Sequence, residues 1–510
     1  MSAIEAASRR GIGGVIVFAS GFAEVDEQGA HEQRAIAEFA LRHDIALAGP
    51  NCLGLINFAE GVPLTFGDAS PNRRSTPRGV SILAQSGAMT LALTYAAMAQ
   101  DITVNYAIST GNEAVLGVED YLGVILEEQE TRVIALLVEQ IRQPELFLSL
   151  ARLARQRSIV LCVLHLGRGE RARAASITHT GALAQDQAVL RAILEREGVL
   201  FIDSLDELID TVDVLTKCSL PLSRGVGLLT DSGAMKTFAL DVGDSLGLSL
   251  PELSEGTRAL LSKELPVFAV AENPVDITAM GLNDPSLYAR ATSVLLDDVA
   301  LGSVVLCVMP GSPVQGTEQI EALLPTLIAA RKPVIYTILG GESPIPSANR
   351  ERIADAGIPL FRSPDRALRA LRNVTQLSLT KGVASQNPSS KTFAPLRVPS
   401  GQSLNEREAK ELLAGVGVQV PVGQLATSEE EVFAAAAAVG FPLVLKVSSS
   451  EILHKSDVGG VAFVGRKEDL LSEYRQLLAR LSQTVGKVAY EGVLVEKAAV
   501  DGTEMIVGAH

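Results

Sequence analysis

Gly79-Val80-Ser81-Ile82-Leu83-Ala84-Gln85-Ser86-Gly87-Ala88-Met89 and Gly225-Val226-Gly227-Leu228-Leu229-Thr230-Asp231-Ser232-Gly233-Ala234-Met235 are two copies of one pattern. Each places an apolar strand before a turn of small residues. Each then opens a helix, predicted over Met89 to Ala99 and over Lys236 to Leu246. The two turns share Ser-Gly-Ala-Met. A single strand–turn–helix of this kind is ordinary α/β punctuation. Its recurrence as an internal repeat predicts two similar α/β domains in tandem. A helix that starts straight after a buried strand leaves backbone N–H groups free and points the positive end of its dipole into the turn. Ser86-Gly87 and Ser232-Gly233 are therefore candidate cradles for the oxygens of one shared anion.

Working outward from the first copy, a strand over Val104 to Ile108 runs into Ser109-Thr110-Gly111-Asn112-Glu113 and a helix reaching Glu128. The next strand, Val133 to Val138, ends at Glu139. A carboxylate just past a buried parallel strand faces the crevice where open α/β sheets bind ligands; the other reading is a solvated strand end. Strand Ile159 to Leu164 then leads through the basic segment Arg168 to Arg173 into Ile177-Thr178-His179-Thr180-Gly181-Ala182-Leu183. His179 is either a surface histidine or an imidazole presented to a moving phosphoryl group. Strand Leu200 to Ile202 and helix Leu205 to Thr216 close this copy. The second copy continues through Asn273-Pro274-Val275-Asp276 and strands Ser303 to Val308 and Val334 to Ile338, and ends in a helix at Pro364 to Gln376.

Upstream, the chain reads as the second half of a doubly wound domain: a helix end, a strand at Val15 to Phe18, a helix at His31 to His43 and a strand at Ala46 to Ala48. The turn Gly49-Pro50-Asn51-Cys52-Leu53-Gly54 follows, at a strand end where ligands bind. Downstream of the second copy, a Ser/Pro/Lys/Asn-rich stretch without hydrophobic period reads as a linker. Beyond it, Phe441-Pro442-Leu443-Val444-Leu445-Lys446-Val447 is a strand carrying one lysine. A loop containing His454-Lys455-Ser456-Asp457-Val458-Gly459-Gly460 follows, then a helix at Lys467 to Arg480 and a strand at Gly492 to Glu496. The first domain lacks its opening βαβ unit and the last stops inside a strand, so the chain is expected to be a fragment or one part of a split protein.

Net charge is −15 and aromatic residues make up 4% of the chain, with no Trp. That balance argues against nucleic acid and against anionic membrane as partners. A polyanionic ligand must then find local positive potential at helix N-termini, Lys, Arg or a cation. The cysteines, Cys52, Cys162, Cys218 and Cys307, form no CxxC pair, which reads as reduced thiols and no zinc site. With no signal-peptide pattern and no bilayer-length apolar run, a cytoplasmic protein is expected.

Taken in order, GPNCLG, QSGAM, STGNE, the strand ending in Glu139, THTGALA, DSGAM, NPVD and PLVLKV…HKSDVGGV resemble the NDP-forming (ADP-forming) acyl-CoA synthetases, relatives of succinyl-CoA synthetase. The resemblance implies an α/β fold in five parts. Residues 1–76 would be the C-terminal part of a CoA-binding Rossmann-like domain, 77–220 and 221–377 two flavodoxin-like domains, 378–402 a linker, and 403–510 the N-terminal part of an ATP-grasp domain. It implies a carboxylate–CoA ligase that interconverts acid, CoA and ATP with acyl-CoA, ADP and phosphate, through an acyl phosphate and a phosphohistidine.

Carried onto this sequence, His179 would carry the phosphoryl group, Glu139 would hold its imidazole, and His454 would relay the group to nucleotide. Gln85, Ser86, Gly87, Ser232 and Gly233 would bind phosphate. Lys446 and Glu496 would face the nucleotide, and Asn51, Asn112 and Glu113 are candidates for the CoA or acyl site. Mg²⁺ would accompany ATP/ADP, with its ligands expected beyond this sequence. The chemistry is coherent: a neutral imidazole is a nucleophile near neutral pH, a carboxylate on its other nitrogen fixes the tautomer, and phosphoryl transfer asks mainly for positioning and charge stabilisation. A homo-oligomer, or a complex with a chain supplying the missing parts, is expected. The alternative is a truncated, non-catalytic or regulatory paralogue that binds acyl-CoA or nucleotide.

Overall fold

Runs of buried β-branched and leucine residues, broken by helices with one apolar face, build the protein in this computed structural model. It describes residues 1–70, 76–169, 171, 187–221, 223–309, 311–341, 343–380, 404–449, 452, 455–484 and 490–499. The chain divides into two compact units, Met1–Ser385 and Gln386–His510.

In the first unit, α1 (Ser2–Arg9), β1 (Gly14–Ile16), α2 (Glu27–Arg42) and β2 (Ala46–Ala48) form a small layer with β1 and β2 parallel. Helix α2 starts four residues before the His31 expected from the sequence. The reason is local: the Asp26 side chain caps it by accepting the Gly29 N–H at 2.7 Å. Next come β3 (Gly54–Asn57), β4 (Val62–Thr65), β5 (Gly79–Ala84), α3 (Gly87–Ala99), β6 (Val104–Ser109), α4 (Val118–Glu127), β7 (Thr131–Val138), α5 (Pro144–Gln156), β8 (Val160–His165), α6 (Gln187–Arg196), β9 (Leu200–Ile202) and α7 (Leu205–Lys217). Their strands make one sheet in the order β4-β3-β6-β5-β7-β8-β9. Strands β5 to β9 run parallel, and β5 and β8 are buried along their whole length, as a sheet covered on both faces requires. The hairpin β3–β4 lies antiparallel against β6, although its residues fall in the segment that the sequence assigns to the preceding domain. It covers an edge of β6 that would otherwise stand open.

The second copy of the repeat gives β10 (Gly225–Thr230), α8 (Gly233–Leu246), α9 (Glu255–Glu264), β11 (Val275–Asp276), α10 (Ser286–Asp297), β12 (Leu301–Val308), α11 (Pro313–Ala329), β13 (Val334–Ile338), α12 (Ser347–Asp355), β14 (Leu360–Phe361) and α13 (Pro364–Thr380). Its five strands are all parallel, in the order β11-β10-β12-β13-β14. One hydrophobic core serves both sheets. Leu208, Ile209, Val212 and Leu215 of α7 join Ala367, Leu368, Leu371 and Val374 of α13 in it. Polar groups at this joint are paired: Arg366 makes two hydrogen bonds to Asp210, at 2.7 and 2.8 Å, and Asn373 donates to Glu207 at 2.9 Å and Thr211 at 3.0 Å.

The second unit holds α14 (Glu406–Gly415), β15 (Gly423–Ala426), α15 (Glu429–Val439), β16 (Leu443–Ser448), β17 (Val461–Val464), α16 (Leu470–Thr484) and β18 (Gly492–Lys497). Its four strands are antiparallel, in the order β15-β18-β16-β17, over a core of its own that includes Leu443, Leu445, Val447, Leu477 and Val495.

Candidate active site

The C-terminal ends of β6, β5, β7 and β8 stand side by side, because Ala84 pairs in register with Ser109 and Val138 with His165. The turns that leave them carry most of the residues singled out in this unit. Gln85 lies at the centre. Its Oε1 accepts the backbone N–H of Glu139 at 2.6 Å and of Gln140 at 3.1 Å. Its Nε2 donates to the Gln140 carbonyl at 2.9 Å and to Glu113 Oε1 at 3.1 Å. A carboxamide offers two donors and two acceptor lone pairs, so all four are occupied by protein. The Gln85 side chain holds the strand end that carries Glu139. Ser86 caps α3, accepting from Met89 N–H at 3.5 Å, and Gly87 packs against Leu53.

Glu113 is buried at positive φ. It accepts from Thr110 Oγ1 at 2.8 Å and Val118 N–H at 3.2 Å, and Arg142 Nε lies 3.1 Å from its other oxygen. Burial pushes this carboxyl up and outweighs the pull of Arg142, Thr110 and Gln85 in the other direction. Arg142 also donates to the carbonyls of Glu113 at 2.6 Å and Asn112 at 2.7 Å, fixing the loop. Asn51 donates to Asn112 Oδ1 at 3.2 Å, so these two candidates are in contact. Asn112 in turn donates to Gln33 at 3.0 Å and to Glu24. Glu24 and Gln33 are absent from the sequence-based site, since nothing local marks them: they come from the small N-terminal layer. Burial alone would raise the Glu24 carboxyl, but bonds from Asn112 and the Gly21 and Phe22 N–H groups leave it below the usual range. Glu24, Gln33, Gln85, Asn112, Glu139 and Arg142 share one small cavity. Gly111, at φ +62°, lets the 49–51 loop come this close; a Cβ there would sit 2.3 Å from the Pro50 oxygen.

The second copy repeats the staple with different chemistry. Asp231, at the position of Gln85, accepts the N–H of Met309 just past β12, at 3.1 and 3.2 Å from its two oxygens, and the Tyr288 hydroxyl at 2.6 Å. Burial raises the Asp231 carboxyl against the lowering effect of these bonds. Met309 thus stands where the first copy has Glu139. Ser232 lacks a side-chain cap bond, and Gly233 lies beside Asp276. Among the described residues no hydrogen bond or ion pair joins the Ser86-Gly87 turn to the Ser232-Gly233 turn. His179 and His454 lie outside the described residues. The strand leading toward His179 ends at His165, which is buried and, among the described residues, has no hydrogen-bond partner on either ring nitrogen. Burial and nearby Arg168 hold it below the usual imidazole range.

In the second unit, Lys446 and Glu496 meet, with Lys446 Nζ 2.9 Å from Glu496 Oε2. Glu406 completes the group: it takes Lys410 at 2.6 Å, Lys446 at 2.7 Å and Lys455 at 3.1 Å, and Lys410 also bonds Glu496. Burial would raise the Glu406 carboxyl, but Lys410 and Lys446 overcome it and hold it at about 2. Burial would lower the Lys446 ammonium, yet the bonds to Glu406 and Glu496 raise it. Glu406 and Lys410 went unnoticed in the sequence, although their i,i+4 spacing in a first helical turn is the signal that could have found them. Among the described residues no group of His, Cys, Asp or Glu could hold a metal ion. The two carboxylates here are already neutralised by lysine, so they do not fit Mg²⁺.

Residues 77–215 match the succinyl-CoA ligase like flavodoxin domain, and residues 398–510 the ATP-grasp domain. Over 98% of its length the chain is 35% identical to a trans-feruloyl-CoA synthase, FCS1, from an unknown prokaryotic organism, covering 71% of that protein. This chain belongs to the ADP-forming acyl-CoA synthetases. The synthetase is also 30% identical to the acetate–CoA ligase [ADP-forming] I of Archaeoglobus fulgidus, over 99% of this chain and 73% of that one. Its fold is shared with the dinucleotide-forming acetyl-coenzyme A synthetase 1 of Ca. Korarchaeum cryptofilum, solved with phosphate and ADP: TM-score 0.67 at 22% identity, covering 75% of this chain and 81% of that one. The synthetase is therefore an ADP-forming acid–CoA ligase, EC 6.2.1 in type, of α/β fold with flavodoxin-like and ATP-grasp domains. No described helix is long and apolar enough to cross a membrane.

Proposed function

We propose that this synthetase works through a phosphohistidine at His179, with Glu139 orienting its imidazole and the N-terminus of α3 at Ser86-Gly87 binding the phosphoryl oxygens. The supporting observation is the Gln85 staple, which fixes the Glu139 backbone beside that helix start. In the thioester-forming direction, a carboxylate oxygen of the acid attacks phosphorus. The P–N bond to His179 breaks, and acyl phosphate and neutral imidazole result. The CoA thiolate then attacks the acyl carbon and phosphate leaves. Glu139 on the other ring nitrogen would keep the attacking nitrogen unprotonated for the next phosphorylation. The helix N-terminus would hold the equatorial oxygens without a basic surface, as an acidic protein requires.

The ATP-grasp segment would recharge His179 by way of His454. Lys446, with Lys410 and Lys455 beside it, would contact nucleotide phosphates, and Glu496 would lie on the nucleotide side. Asn51 and Asn112 would face CoA or the acyl group, with Glu113 behind them. Mg²⁺ is expected with the nucleotide, and the described carboxylates do not fit it. Two Pyrococcus furiosus relatives, the acetate–CoA ligase I subunits alpha and beta, match 72% and 21% of this chain. That division supports a complementing chain as partner.

Incubation of the full chain with γ-labelled ATP and Mg²⁺ should give acid-labile, base-stable phosphoprotein. Label retained in both His179→Ala and His454→Ala would remove the proposal.

A further inference from the structure

Glu406 stands at the centre of three lysines in the second unit. Strand β16 turns Leu443, Leu445 and Val447 into the core of that unit. Lys446 alternates with them and so points to the other face, as does Glu496 of β18, which pairs across from Val444. The first turn of α14 brings Glu406 and Lys410 to this face, and Lys455 reaches it from the turn before β17. Resting on the reading of Lys446 as a contact for nucleotide phosphates, we propose that Glu406 is an internal stand-in for phosphate. It occupies the lysine donors of the site, and the phosphates of ADP or ATP displace it as they bind.

The donors show the competition. An ammonium has three N–H groups to give. Lys446 spends two, on Glu406 at 2.7 Å and on Glu496 at 2.9 Å. Lys410 spends two on the same pair, at 2.6 Å to Glu406. Lys455 reaches the other Glu406 oxygen at 3.1 Å. A phosphate that contacts Lys446 asks for the same donors with the same sign of charge. Three lysines against two glutamates leave the group one positive charge in excess, and without Glu406 the excess is two.

The two carboxylates differ in how freely they can leave. Glu496 is buried in its strand, whereas Glu406 and the three lysines are half-buried and within reach of a ligand from solvent. The backbone of Glu406 does not depend on the lysines. Asn405 caps α14 through the Glu408 N–H at 2.9 Å and donates to both oxygens of Glu491, at 2.8 and 2.9 Å. The Glu406 side chain can therefore swing aside while the helix keeps its place. Burial works against its charge, yet Lys410 and Lys446 hold the carboxyl at about 2, so it competes as a full anion near neutral pH. A resident anion loosens the hold on every nucleotide phosphate and eases release of the product nucleotide.

Calorimetric titration of ADP and of adenosine into the full chain tests this. Glu406→Gln keeps the shape and removes the charge, so ADP should bind about tenfold or more tightly than to wild type, the scale of one like charge removed from beside the phosphates. Glu406→Ala should tighten it too, and Glu406→Asp, which keeps the charge, should stay near wild type. Adenosine has no phosphate and should not distinguish these proteins. Lys446→Ala checks the underlying reading separately and should weaken ADP. If it does, while ADP binds Glu406→Gln and Glu406→Ala no more tightly than wild type, the stand-in alone is overturned. A gain for adenosine equal to that for ADP overturns it as well. ADP affinity indifferent to Lys446→Ala, or no ADP binding to wild type or any Glu406 variant, overturns the nucleotide reading and the stand-in together.

Discussion

Gln85 concentrates in one side chain what the active site needs from its scaffold. Gln85→Ala would leave the N–H groups of Glu139 and Gln140 without their acceptor and Glu113 without a donor. Turnover should fall about 10- to 100-fold, the scale of loss when a group that orients a functional residue is removed, while stability falls by about 1–3 kcal/mol. Steady-state kinetics with a melting curve separate the two; a drop in stability with unchanged kcat would make Gln85 merely structural. Gly111→Ala should strain a left-handed position and drive a Cβ toward the Pro50 oxygen, at a cost of about 1–3 kcal/mol. Urea denaturation should show it, with activity falling further because Asn112 and Glu113 follow directly. Glu406 gives a pH dependence with a definite sign. Its carboxyl is depressed from 4.5 to about 2 in the folded protein. Its contribution is therefore complete above about 4.5 and is lost as pH falls toward 2. Glu406→Gln should flatten the melting temperature of its unit across that window relative to wild type.

The elements respond through packing. Leu368, fully buried where α13 meets α7, should cost about 2–5 kcal/mol as alanine, read by denaturant unfolding of the first unit. Strand and helix positions around both Ser-Gly-Ala-Met turns were legible in the sequence, because an apolar run followed by small residues and a helix start is a local signal. So was Glu139 as a strand-end carboxylate. The hairpin β3–β4 was harder. Gly54–Asn57 alternates buried and half-buried residues as a strand with one covered face does, but its partner β6 begins some fifty residues on, and pairing of that range leaves no trace in local periodicity. The same holds for Glu24 and Gln33, which reach Asn112 from 88 and 79 residues away. The place of Gln85 in the turn marks it in the sequence, while its four hydrogen bonds are set by tertiary neighbours.

The molecule as a whole carries two sets of cores, those of Met1–Ser385 and that of Gln386–His510. Scanning calorimetry should resolve two transitions rather than one. With the nucleotide held at the Lys446 cluster, saturating ADP should raise only the transition of the second unit, by mass action on its folded state. Lys446→Ala should abolish that shift; an equal ADP shift in both transitions would place the nucleotide elsewhere.

The paired staples at Gln85 and Asp231 give the twin halves unlike chemistry at the same place. A neutral amide can sit against a strand end beside a carboxylate without charge repulsion. A carboxylate in the same seat cannot, because a second negative charge beside it would be repelled and one of the two would take up a proton. The second copy has the carboxylate in the seat and a methionine after it. Met309→Glu alone would set two carboxylates against each other, and Asp231→Asn beside it would relieve the repulsion. The choice of amide or acid at one position is what separates the two duplicated strand ends: an amide before Glu139 in the first, an acid before Met309 in the second.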